Sequence, residues 1–342
     1  MSSKSRKKIL LMGKSGSGKT SMRAIIFRSQ MAADTRRLGA TIDVESSQIK
    51  FLGGLRLDLW DCGGQDSFMD SHLTAQSSAI FRSVHSLIYI FDAESPDLST
   101  SDIVYFPKCL RALREQNPPS SSSAGQGQAE EPSVFVLLHK MDLVPVELQA
   151  SKLAEFEAEV TKKAREGGWN GKLQFYGTSI YNETLYKAWS IIVSHLMPSL
   201  ASLRSYLQSF LTISSASEVV LFEKTTFLVI SSVTAGKTST ANGHSDNDDD
   251  EENDETALWD ERRFERISTM VKAFKLGCSK IRSPFSSLTV STPHYTAVLD
   301  ALTPETYILV VAKAEIQPAA IELNIRLARP HFAKLEAIGM PR

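Results

Sequence analysis

Short apolar runs alternate with helix-length stretches through the first half of the chain, and that rhythm predicts a mostly parallel α/β sheet. Lys8 to Met12, Ser47 to Phe51, Leu55 to Trp60, Ser86 to Phe91, Val134 to Leu138 and Leu173 to Tyr176 read as its six strands. Leu52-Gly53-Gly54 parts the second run from the third at hairpin spacing, so one strand runs antiparallel. Ser21 to Ser29 reads as a helix. Leu185, Trp189, Ile192 and Leu196 recur at helical spacing and predict a helix over Glu183 to His195 that closes a first domain at 8–197.

The second half, 198–342, has another rhythm. It reads as helix (Leu200 to Leu211), strands (Glu218 to Phe222, Thr226 to Val233), helix (Leu258 to Ile281), three strands (Phe285 to Val290, Thr296 to Ala301, Thr306 to Ala312) and a last helix (Ala319 to Leu335). Ile321, Ile325, Ala328, Phe332 and Leu335 share one face of that last helix. The order describes a five-stranded antiparallel sheet with helices, an α+β domain without a catalytic motif, which we read as an interaction module.

Composition changes the picture at three places. Residues 1–7 form a basic tail, and the Ser- and Gly-rich stretch 118–132 reads as a disordered loop. Within a second disordered insertion, 234–256, eight of the ten residues from Asp246 to Glu255 are acidic. The net charge is −1, so the rest of the chain carries +7, without the interleaved aromatics of a nucleic-acid surface; no nucleic-acid partner is expected. Cys62, Cys109 and Cys278 are too scattered for a disulfide framework or a zinc site, which fits a reducing compartment. No apolar stretch approaches the length of a membrane span, and the myristoylation and prenylation patterns both fail, so membrane attachment is expected only through partners.

The chemistry begins at Gly13-Lys14-Ser15-Gly16-Ser17-Gly18-Lys19-Thr20, directly after the first strand. It fits G-x-x-x-x-G-K-[ST], in which Gly13, Ser15, Gly16, Ser17, Gly18 and Ser21 wrap backbone N–H groups around phosphates. Lys19 would reach the β- and γ-phosphates, and the Thr20 hydroxyl would ligate Mg²⁺. Downstream, Leu57 to Gln65 is a strand ending in Asp61-Cys62-Gly63-Gly64-Gln65. Asp61 is placed to hold Mg²⁺ through its water shell, Gly64 to offer its N–H to the γ-phosphate, and Gln65 to orient water. Thr41, preferred over Thr35 because it immediately precedes a strand, can supply a second Mg²⁺ hydroxyl. In His139-Lys140-Met141-Asp142, the Asp142 carboxylate can accept from guanine N1–H and N2–H₂, donors that adenine lacks. Lys140 would lie along the base. Thr178-Ser179-Ile180 would bring backbone N–H groups near guanine O6.

The stretches GKSGSGKTSMRAIIF, RRLGATIDVE, LWDCGGQD, HKMDLV and TSIYNETLYKAW resemble those of the Rag (Gtr) GTPases, and the RagA/RagB half more than RagC/RagD. The resemblance implies a P-loop GTPase domain followed by a roadblock (longin-like) domain. It implies GTP/GDP and Mg²⁺ as ligands, with Gln65, Lys19 and Thr41 serving hydrolysis and Thr20, Thr41 and Asp61 the metal. Pairing with a RagC/RagD-like chain through the second domain is implied, as are a Ragulator/EGO-like anchor at the vacuolar or lysosomal surface, a GTPase-activating complex, and TOR complex 1 as the target. His139 departs from the general Asn-Lys-x-Asp pattern, which leaves open what braces the phosphate loop on that side. Ser15 stands where Ras-like loops often carry Gly and narrows the room for an inserted arginine, so slow intrinsic hydrolysis is expected; Arg36 and Arg37 are candidate fingers. A nucleotide-binding scaffold with negligible turnover, and an ATPase or kinase on the same loop, remain as other readings.

Overall fold

The computed structural model describes residues 6–28, 30–39, 41, 44–50, 56–64, 77–95, 102–118, 132–197, 200–235 and 263–338. Gln65, the hairpin turn at 51–55, the Ser/Gly loop over 119–131 and the acidic insertion over 236–256 lie outside them. The described residues up to Met197 and those from Leu200 on form two compact units.

In the first unit the elements are β1 (Arg6–Met12), α1 (Lys19–Arg28), a 3₁₀ turn (Ala32–Arg37), β2 (Glu45–Lys50), β3 (Arg56–Asp61), α2 (Ser77–Phe81), β4 (Val84–Asp92), α3 (Asp102–Gln116), β5 (Ser133–His139), α4 (Val146–Glu166), β6 (Leu173–Thr178) and α5 (Thr184–His195). They build a sheet of order β2-β3-β1-β4-β5-β6. β2 pairs antiparallel with β3, and every other pair is parallel. β4 and β5 are buried along nearly their whole length because helices cover both faces, as their unbroken apolar runs require. Tyr89, Phe91, Phe106 and Phe156 stack edge-on at the centre of this core. Two residues of the expected basic tail belong to the first strand instead. Arg6 and Lys7 are the first residues of β1, where Arg6 pairs with Asp58 of β3.

The second unit runs α6 (Leu200–Ile213), β7 (Ala216–Glu223), β8 (Val229–Thr234), α7 (Arg263–Lys280), β9 (Leu288–Ser291), β10 (Tyr295–Thr303), β11 (Thr306–Lys313) and α8 (Pro318–Ile338). The five-stranded sheet has order β8-β7-β11-β10-β9, antiparallel throughout. Alternation along the strands sends Val220, Phe222, Leu309 and Val311 into one cluster with Val271 of α7. Tyr206 of α6 lies 6.4 Å from Phe332 of α8, so these two helices are neighbours; Ile321 and Ile325 of α8 are buried. Strand β9 starts three residues later than the apolar pattern suggests, at Leu288, with Phe285 packed against the core from the preceding loop.

Candidate functional site

One rim of the six-stranded sheet collects the ends of five strands. Leu11 of β1 is level with Asp61 of β3, and Asp92, His139 and Thr178 lie level across β4, β5 and β6. The chain passes from β3 on one side of β1 to β4 on the other, and the crevice at such a switch is where open α/β sheets bind ligands.

The loop Gly13 to Gly18 fills that crevice. Gly13 has φ +137°, and a Cβ there would lie 2.2 Å from the Ile90 carbonyl oxygen. Gly18 has φ +95°, and its Cβ would lie 2.6 Å from His139 Cδ2. Any side chain at either position is excluded by strain and by contact together. Lys19 is buried, and its Nζ donates to the carbonyl oxygens of Gly13 at 2.7 Å and Lys14 at 2.8 Å, which holds the ammonium inside the curve of the loop. Buried Ser17 and exposed Gly16 complete the curve, and Ser21 continues α1. Two expected phosphate ligands meet each other instead: the Ser15 N–H donates to the Gly64 carbonyl at 2.8 Å. A phosphate oxygen that takes this N–H must displace that carbonyl.

Three oxygen groups converge beside the loop. Thr20 Oγ1 donates to Asp61 Oδ2 at 2.9 Å and lies 2.7 Å from Thr41 Oγ1. Thr35 is excluded from this set because its hydroxyl donates to the Ala32 carbonyl at 2.7 Å within the 3₁₀ turn. Burial pushes the Asp61 carboxyl above the usual carboxylate range, against the Thr20 hydrogen bond and the charges of Arg23 and Lys19. Asp61 Oδ1 is buried without a hydrogen-bond partner among the described residues. Two hydroxyls and a carboxylate with one unbonded oxygen fit a hard divalent cation such as Mg²⁺.

Farther along the rim, Asp142 is exposed on a short 3₁₀ turn, and its Oδ1 accepts from Ser179 Oγ at 2.5 Å. The Ser179 N–H already donates to Thr184 Oγ1 at 3.0 Å, while Ile180 follows at the surface turn. Lys140 has φ +64° and pairs with Asp92 at 2.5 Å. His139 answers the question its sequence position raises. Its ring lies against Gly18, and its Nδ1 is 3.0 Å from Thr178 Oγ1. Burial, aided by the Lys140 charge, lowers its pKa to about 4, so the imidazole is neutral at physiological pH.

Two residues of the rim were not among the sequence candidates. Asp92 could have been found as an acid closing the strand Ser86 to Phe91. Arg23 carries no such signal; it is one of three bases on its helix, yet it is buried between Glu45 and Asp61. Arg36 and Arg37 are both exposed on the 3₁₀ turn.

A phosphate loop, a carboxylate and hydroxyls fit for Mg²⁺, and an acid at the far corner together make a P-loop site of the G-protein class. The conserved-region profile of Gtr1/RagA G proteins matches residues 8–271. The chain is 44% identical over 325 residues to GTP-binding protein gtr1 of Schizosaccharomyces pombe, covering 95% of this chain and 94% of that one. It is 40% identical over 366 residues to Ras-related GTP-binding protein B of Rattus norvegicus, covering 98% and 88%. Ras-related GTP-binding protein C of Mus musculus is more distant, 26% identical over 220 residues that cover 64% and 51%. The chain therefore belongs to the Gtr1/RagA family of G proteins, small GTPases that hydrolyse GTP.

Proposed function

We propose that this chain is the RagA/RagB-like subunit of a Rag-type heterodimer, a GTP-dependent switch that relays amino-acid sufficiency to TOR complex 1. The convergence of Thr20, Thr41 and Asp61 beside the phosphate loop carries the switch reading: a cation held there would tie the segment of Thr41 to the nucleotide. Asp142, held by Ser179, would select guanine, and with the Ser179 N–H engaged by Thr184 the Ile180 N–H would serve guanine O6.

Thr20, with Thr41 and Asp61 behind it, would hold Mg²⁺, whose charge would offset that on the phosphoryl oxygens. Lys19 reaches the β- and γ-phosphates once its bonds to Gly13 and Lys14 are exchanged for phosphate oxygens. Gln65, outside the described residues, is assigned the attacking water by its place after Asp61-Cys62-Gly63-Gly64. Release of the Ser15–Gly64 bond frees the Ser15 N–H for phosphate and lets the segment after Gly64 report the nucleotide. Ser15 narrows the room for an inserted arginine, so intrinsic turnover is expected to be slow, and an activating complex that supplies a cationic group would accelerate it by about 10³ to 10⁵.

The second unit is read as a roadblock domain that pairs with a RagC/RagD-like chain. The assembly would sit at the cytoplasmic face of the vacuole or lysosome through a Ragulator/EGO-like anchor, with a further pool in the cytoplasm. The test is to denature the purified protein, identify the released nucleotide, and titrate GTP, GDP and ATP with Mg²⁺. Guanine nucleotide without ATP binding is expected. ATP binding, or no bound nucleotide, overturns the Asp142 assignment and the switch with it.

A further inference from the structure

We infer that Arg23 sets how tightly this site holds its divalent cation, by competing with that cation for Asp61 while Glu45 tempers the competition. The inference rests on the Mg²⁺·nucleotide reading proposed above.

Arg23 projects from α1, and its side chain is 3% exposed. One end of the guanidinium, Nη2, pairs with the Glu45 carboxylate at the start of β2, and Nε lies 3.6 Å from Asp61 Oδ2. Nε has no hydrogen-bond acceptor among the described residues, so its attraction to Asp61 is one of charge. Glu45 and Asp61 face each other across the β2–β3 pair, and Arg23 bridges them from the helix. A guanidinium stays protonated even when buried. Asp61 therefore meets a fixed positive charge at Oδ2, the same oxygen that accepts from Thr20, while Oδ1 is buried without a hydrogen-bond partner among the described residues.

Fixed guanidinium and incoming cation repel each other, and burial makes that repulsion stronger than it would be in water. Removing the guanidinium should therefore tighten the cation. Glu45 has the opposite influence, because its carboxylate neutralises part of Arg23. Its side chain is 54% exposed on an edge strand, so movement of β2 that draws Glu45 away leaves the whole charge of Arg23 on Asp61 and loosens the cation. The edge of the sheet is thereby coupled to the metal through one arginine.

The experiment follows release of a fluorescent GDP from the full-length chain as free Mg²⁺ is varied. Wild type should release more slowly as Mg²⁺ rises, with a defined midpoint. Arg23→Gln should lower that midpoint by about tenfold, and Glu45→Gln should raise it by about threefold. Arg23→Lys, which keeps the charge, should stay near wild type. A purely structural role for Arg23 predicts instead that both Gln variants weaken Mg²⁺. Shifts in the same direction, or an unchanged Glu45→Gln midpoint, overturn the inference. Should Arg23→Gln fail to fold, Arg23→Met, which removes the charge and keeps an unbranched stem, takes its place, and a midpoint at or above wild type overturns the inference. If wild-type release does not depend on Mg²⁺, the Mg²⁺·nucleotide reading itself fails; if wild type depends on it and the variants match wild type, only the role of Arg23 fails.

Discussion

His139 owes its position to the residue beneath it. Gly18 has no Cβ, and the imidazole occupies the space a Cβ would need, with Thr178 Oγ1 fixing the ring from the other side. Thr178→Val leaves a buried ring nitrogen without a partner and should cost ~1–3 kcal/mol in denaturant unfolding, with faster GDP release. Thr178→Ser, which keeps the hydroxyl, should restore both. The same burial makes stability depend on pH. The unfolded chain takes up a proton on this histidine near 6.5, while the folded protein resists it until about 4. Protons therefore favour the unfolded chain as pH falls through that window, and stability contributed above pH 6.5 is lost toward pH 4. Unfolding followed from pH 7 to 4.5 should show a shallower decline in His139→Asn than in wild type. Residues of this kind divide sharply in how visible they are before folding. Lys19, Thr20 and Asp142 sit in short motifs whose spacing is itself the chemistry, so they are legible. The partners of Lys140 and Arg23 lie 48 and 22 residues away, and only the fold brings them within reach.

Helix α7 shows how an element is fastened by more than its apolar face. Ser268, Lys272 and Lys275 form one stripe and donate to the carbonyls of Phe227, Thr226 and Lys224 in the β7–β8 turn. Glu223 braces that turn from within by accepting from the N–H groups of Thr225 and Thr226. Burial lowers the Lys272 amine to about 7, with Lys275 adding to the effect and Glu223 opposing it. The unfolded chain keeps this proton up to about 10.5, whereas the folded chain gives it up near 7. Burying the charged amine therefore penalises folding below pH 7, and the penalty fades as pH rises toward 10. Lys272→Met should raise stability at pH 7 by ~1–4 kcal/mol and flatten its rise between pH 7 and 10, as read by urea unfolding at several pH values. At this scale the apolar rhythm placed every strand of both sheets, because strands such as β4 and β5 are apolar runs bounded by polar turns. It missed the 3₁₀ turn at Ala32–Arg37, which has no periodicity to read and is held by local bonds such as Thr35 to Ala32.

Each of the two units has its own core, and the second keeps apolar surface that its own sheet does not cover. Met270 and Phe274, one helical turn apart on α7, are 59% and 53% exposed, and Val290 on β9 is 38% exposed. Among the described residues β9 is an edge strand with one unpaired side, and a groove of about 470 Å³ runs between α7 and the β9–β10 end of the sheet. An apolar helix face beside an open strand edge invites a second chain, because such an edge left bare favours uncontrolled association. If this surface pairs with a RagC/RagD-like chain, Phe274→Glu places a charge where the partner must exclude water and should abolish co-purification with it. Nucleotide affinity should be unchanged, since α7 belongs to the second unit and the phosphate loop to the first. Thermal unfolding of the isolated chain should fall only modestly, because Phe274 is half exposed and loses chiefly its edge contact with the Phe285 ring, 6.0 Å away. Retained pairing would move the interface elsewhere on the second unit. A fall in nucleotide affinity would mean instead that the two units do not keep their tasks apart.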